Sequence, residues 1–122
     1  MNRLRSRQDY LAAAKGARVT RTGFVLQAVR GEVAGAPARF GFTVTNKVGN
    51  AVTRNRIKRR LRELARAAGP DAAPGIDYVL VGRREAVDRP FGAMTADLAS
   101  AMTEIVKMRR VAEPRTSPRG AR

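Results

Sequence analysis

The chain has 122 residues, enough for one domain with a modest core and too few for two. Its 25 Lys and Arg against 10 Asp and Glu give a net charge of +15, which opposes self-association, predicts a monomer and favours a polyanionic partner. The absence of Cys and His removes disulfides, thiolate nucleophiles, Cys-ligated zinc and the commonest general base, which points to a cytoplasmic protein and argues against a self-sufficient enzyme.

No apolar run approaches the roughly 18–20 residues that span a bilayer, so no membrane partner is expected. The basic start, Met1 to Arg7, leads into no apolar stretch of the kind a secretory signal needs. Ser6 is a good helix N-cap with Asp9 three residues on, and Tyr10, Leu11 and Ala14 form an apolar side up to Gly16. A short helix is predicted over residues 7–15. In residues 24–30, Phe24, Leu26 and Ala28 point one way and Val25, Gln27 and Val29 the other. Residues 31–37 carry two Gly and a Pro and read as a loop. In residues 39–45, Phe40, Phe42 and Val44 share one face, and Arg39, Gly41, Thr43 and Thr45 the other. The two segments suggest an antiparallel hairpin with one apolar face. The aromatics Phe24, Phe40 and Phe42 are assigned to the core.

Asn50 is a candidate N-cap, and from Ala51 the period becomes helical. Ile57, Leu61, Leu64, Ala65 and Ala68 fall on one stripe, which Gly69-Pro70 ends. Residues 76–83, with Tyr78, Val79, Leu80 and Val81 at the centre, look like a buried strand. Strand, helix, strand in this order makes a βαβ unit whose third strand is parallel to a neighbour. A last helix is predicted near 92–110, with Met94, Leu98, Ala101, Met102 and Ile105 inward. Residues 113–122 lack apolar periodicity and read as a disordered basic tail, leaving 1–112 as a single domain.

Residues 47–66 hold eight cations and one acid, Glu63. At about 100° per residue, Lys58, Arg59, Arg62 and Arg66 lie opposite the apolar stripe, with Arg56 and Arg60 flanking it and Asn55 inside the basic arc. A merely solvated face usually mixes signs so that i,i+4 pairs form. Here adjacent cations repel, which favours phosphate binding, and Arg suits phosphate because its planar fork grips two oxygens. The N–H groups after Gly49 and Asn50 add the positive end of the helix dipole. If six of these cations each neutralise a phosphate, log K falls by roughly 4 to 5 per decade of salt.

The run from Arg39 to Glu63 resembles the bacterial ribonuclease P protein family. It includes the loop Lys47-Val48-Gly49-Asn50 and the core Arg54-Asn55-Arg56. Gln8-Asp9-Tyr10, Phe24-Val25-Leu26 and Asp77-Tyr78-Val79-Leu80 extend the likeness over about residues 4 to 110. The resemblance implies an α+β fold, a two-layer sandwich with a sheet of about four strands in the order αβββαβα. It also implies a left-handed βαβ crossover, as in ribosomal protein S5 domain 2, against a general rule that is right-handed in about 98% of cases.

By the same resemblance the chain is a subunit of an endoribonuclease. It binds ribonuclease P RNA and precursor tRNA and assists removal of the 5′ leader. Hydrolysis and Mg²⁺ belong mainly to the RNA, and the protein alone holds no catalytic residue and no metal. The RNA-subunit role falls on Lys47, Gly49, Asn50, Arg54, Asn55, Arg56, Lys58, Arg59, Arg60, Arg62 and Arg66. A leader cleft would be lined by Tyr10, Gln27, Arg39, Thr43 and Thr45. For Tyr10 a core-packing role competes, and Thr43 and Thr45 read equally as a polar sheet face. Ala14 and Gln27 stand where the family often has aromatics, so stacking worth roughly 1–3 kcal/mol per base is missing there. Asn46 replaces a frequent Lys.

Composition alone leaves a ribosomal protein or RNA chaperone open, and the match over residues 47–63 decides against it. A free-standing nuclease would need clustered carboxylates for two metals, and the acids are scattered.

Overall fold

The computed structural model describes residues 2–112, and the predicted tail at 113–122 lies outside them. The elements run β1 (Asn2–Arg3), α1 (Arg7–Ala14), β2 (Ala17–Thr20), β3 (Phe24–Arg30), β4 (Arg39–Thr43), α2 (Ala51–Ala68), β5 (Ile76–Gly82), α3 (Phe91–Ile105) and α4 (Arg109–Ala112). Short 3-10 turns occupy Asn46–Val48, Gly69–Asp71 and Arg84–Val87.

Helix starts follow local chemistry. The Ser6 hydroxyl accepts the Asp9 N–H at 3.1 Å, and the Asn50 side-chain Oδ1 accepts the Thr53 N–H at 2.9 Å. Gly16 follows α1 as predicted, but for a tertiary reason: a Cβ there would stand 2.1 Å from the Ala28 carbonyl oxygen of β3. The predicted last helix is two. Its chain tightens over residues 106–108 before α4, which buries Val111 in the core.

The sheet has five strands in the order β1-β4-β5-β3-β2. The expected hairpin between β3 and β4 does not form. β5 lies between them, antiparallel to β3 and parallel to β4. The cause is visible in β5 itself, which is buried along nearly its whole length and therefore needs a neighbour on each side. The loop after β3 crosses the start of β5, where the Gly31 N–H meets the Gly75 carbonyl. The hairpin partner of β3 is β2, whose Ala17 and Val19 are buried while Arg18 and Thr20 face water. β1 adds a fifth strand beside β4. Both are too short for a period-2 pattern to stand out in the sequence.

One face of the sheet carries α2 and α3. Phe24, Leu26, Phe40, Phe42, Tyr78 and Leu80 pack there against the predicted stripe of α2, all of it buried, and against Met94, Leu98 and Ile105 of α3. Truncating Leu61 or Leu64 to Ala would cost about 2–5 kcal/mol. Phe40 stacks on Tyr78 with ring centroids 5.2 Å apart. The other face is not bare, as a two-layer sandwich would leave it. α1 lies on it, with Ala13 and Leu4 packed around Val79.

Candidate nucleic-acid interface

The first candidate surface begins where β4 gives way to α2. Lys47 projects into solvent from the turn Asn46–Val48, and Gly49 leads to the Asn50 cap. The cap satisfies the Thr53 N–H, while those of Ala51 and Val52 have no acceptor within the helix and face outward. An open groove of about 540 Å³ lies between Val48–Thr53 and the turn carrying Arg84, Glu85 and Asp88. Arg84 is exposed beside the helix start. It was not anticipated, because it sits 30 residues after Arg54 and meets the groove only through the fold.

Along α2 the predicted contact residues separate into two groups. Asn55, Arg56, Lys58, Arg59 and Arg66 are exposed, and Arg62 is half-buried. Among the described residues no ion pair engages any of them. Arg54 and Arg60 depart from the exposed arc. Arg54 folds back and donates from Nη1 to the Gly49 carbonyl at 2.7 Å, bracing the turn before the helix. Arg60 points at α3, where its Nη2 donates to the Arg89 carbonyl and reaches the Met94 sulfur. Its Nε is buried with no partner. Arg60 is thus a packing residue, because the flank of the stripe on which it lies faces a second helix.

The second candidate surface is the α1 face of the sheet. The register sets three rows across it: Thr20, Val25, Val81, Thr43; then Arg18, Gln27, Val79, Gly41; then Val29, Asp77, Arg39. α1 covers the β4 side of the middle row and leaves the first row partly open. Gln27 and Thr43 sit half-exposed on adjacent rows. Thr45 lies past the end of β4, exposed on the turn to α2, and so belongs with Lys47 rather than with the sheet. Arg18, beside Gln27, is exposed and was missed with its strand.

Tyr10 and Arg39 hold this face together. The Tyr10 ring lies on Gly41, where a Cβ would approach it to 2.7 Å, and its hydroxyl accepts the Phe42 N–H at 3.2 Å. That hydroxyl takes the next edge donor of β4 beyond the end of β1. Arg39 grips Asp77 with two hydrogen bonds, Nε to Oδ1 at 3.0 Å and Nη2 to Oδ2 at 2.8 Å, and reaches Asp9 of α1 at 3.3 Å. Asp77 is 3% exposed, so the pair is a buried carboxylate under a half-exposed guanidinium. The hydrogen bond to Asp77 raises the Arg39 pKa further above its ordinary value and keeps the charge fixed at every working pH. Arg39 is therefore engaged by two carboxylates of the chain itself while part of its guanidinium stays exposed.

Among the described residues, no three His, Cys, Asp or Glu side chains come together as a metal site. No helix among them is long and apolar enough to cross a membrane. What the surface offers chemically is cationic, hydrogen-bond-donating contact with phosphates.

Comparisons with known proteins agree on one family. The ribonuclease P family profile matches residues 1–106. The ribonuclease P protein component of Erythrobacter litoralis is 42% identical over 120 residues, covering 98% of this chain and 93% of that protein. That of Gluconacetobacter diazotrophicus is 48% identical over 99 residues, covering 80% and 84%. The RNase P protein from Thermotoga maritima superposes with a TM-score of 0.72 at 26% identity, over 86% of this chain and 98% of that one. The Staphylococcus aureus RNase P protein gives 0.67 at 27% identity, over 88% and 96%.

Proposed function

The chain belongs to the ribonuclease P protein family and is a protein component of that tRNA-processing endoribonuclease, and from that premise we propose how its surfaces divide the work. The exposed arc of α2, with Lys47 and the Asn50-capped helix start, binds the RNA subunit. The half-open rows around Gln27 and Thr43 receive the 5′ leader of precursor tRNA. The single observation that carries the first assignment is the run Arg56, Lys58, Arg59 and Arg66, exposed on one helix face without an acid paired to any of them among the described residues. Arg54 acts on the RNA mainly through the loop it braces.

The RNA subunit carries phosphodiester hydrolysis, with Mg²⁺ held mainly by that RNA. Asp9 and Asp77, the acids on the leader face, already share Arg39. The protein acts by screening phosphates and positioning two RNAs, each on its own side of the sheet. The free protein is monomeric, as its charge favours. The β4–α2–β5 crossover is read as left-handed, in the manner of ribosomal protein S5 domain 2.

The test is affinity for ribonuclease P RNA. Replacing Arg56, Lys58 and Arg59 together by Ala should raise Kd by at least tenfold at moderate salt while the thermal midpoint stays within a few degrees. Unchanged affinity in a folded triple variant would remove α2 from the interface.

A further inference from the structure

Two hollows meet at the β1 edge of the sheet. The first, about 380 Å³, opens between the end of α2 and the start of β4. Pro37, Ala38, Phe40, Pro70, Ala72 and Pro74 form most of its walls, and exposed Arg66 and Asn2 complete it. The second, about 460 Å³, is lined by Asn2, Arg3, Arg5, Ala36, Pro37 and Arg39. The hollows share Asn2 and Pro37, and no carboxylate lines either. Arg39 is held by Asp77. Arg3 and Arg5 are exposed and form no ion pair among the described residues, and the Arg3 guanidinium stands 5.6 Å from the centre of the Phe42 ring.

An apolar slot with a cation on either side and no carboxylate in its lining fits a ligand with a flat apolar body between two anionic groups. A nucleotide within a strand has that form. Proline rings and aliphatic walls pack on a base face without reading its edges, so any base would serve. A base inside a duplex cannot enter, which restricts the occupant to an unpaired nucleotide. Arg66 follows Arg62 by one helical turn and Arg62 follows Arg59 by nearly one, so the slot lies at the end of the α2 arc. Phe40 and Ala65 line it from the α2 face of the sheet, opposite the rows read as the leader cleft.

We propose that an unpaired nucleotide of the RNA subunit docks here, its base in the slot and its flanking phosphates on Arg66 and on Arg3 and Arg5. The proposal rests on the reading of α2 as the RNA-subunit surface.

The chain has no Cys, so Ala72→Cys places a single thiol on the slot wall. Labelled with an azidophenacyl group and assembled with ribonuclease P RNA and precursor tRNA, it should crosslink to an unpaired nucleotide of the RNA subunit. Crosslinks to precursor tRNA alone, to a duplex segment, or to neither RNA while the wild-type chain still binds the RNA subunit would overturn the slot and leave the α2 reading intact. Filling the slot with Ala72→Trp should raise Kd for that RNA about tenfold without changing its salt dependence, because stacking rather than a phosphate contact is lost. A folded Ala72→Trp protein of wild-type affinity would also overturn it. Failure of the wild-type chain to bind ribonuclease P RNA at all would bring down both readings together.

Discussion

At the scale of single residues, the Arg39–Asp77 pair carries the clearest energetic consequence. Removing the guanidinium leaves a carboxylate that is 3% exposed without its partner. Arg39→Ala should cost about 2–3 kcal/mol, near the lower end for a broken buried pair because the arginine keeps part of its surface in water. Chemical denaturation checks this, and Arg39→Met with Asp77→Leu should recover most of the loss. Tyr78 gives a pH prediction. Burial pushes its phenol above the ordinary value near 10, while the Ala73 N–H bonded to its oxygen opposes the shift. The folded chain thus holds this proton after the unfolded chain has released it. The contribution to stability is complete below about pH 10 and is lost as pH rises through the folded value. Denaturation midpoints between neutral and strongly alkaline pH should fall less steeply in Tyr78→Phe, and parallel curves for the two proteins would contradict burial as the cause.

At the scale of elements, α1 is seated by Tyr10 on Gly41 and by Asp9 on Arg39. A Cβ at position 41 would drive the ring off β4, so Gly41→Ala should lose about 1–3 kcal/mol and loosen α1, seen as faster amide exchange at Phe42. For the RNA-subunit surface, excluding Arg54 and Arg60 from the phosphate contacts leaves six cations, Lys47 and five on α2, so the fall in log K per decade of salt should be roughly 4–5. A titration of RNA affinity over salt reads it directly, and a slope below about 2 would mean the arc is not the interface. Much of this was legible in the sequence. Ser6, Asn50 and the stripe from Ile57 to Ala68 behave as their local chemistry dictates, because caps and helical period are short-range. What escaped was long-range. Nothing near Arg60 announces Arg89, and nothing near Arg39 announces Asp77. β2 shows its pattern only once β3 lies beside it. The four apolar residues of β5 told of a buried strand, yet its neighbours depend on which elements claim each edge.

At the scale of the whole molecule, the sheet separates two surfaces, an Arg-rich helix arc on one side and the half-open rows beside α1 on the other. The segment from Val44 to Asn50 leads from the end of β4 to the capped start of α2, which makes it a place where contact with one RNA would be felt at the other. The surplus of positive charge supplies attraction, while the fixed elements supply register. A chain that contributes position and screening should matter most where Mg²⁺ is scarce, since cations then do little to offset the repulsion between two RNAs. Reconstitution tests this most directly: purified chain, ribonuclease P RNA and a precursor tRNA at low Mg²⁺, with 5′ processing followed against RNA alone. Processing should be faster with the chain present, and the Arg56, Lys58 and Arg59 substitutions should reduce that gain, whereas processing no faster than with RNA alone would rule out a positioning role for the protein.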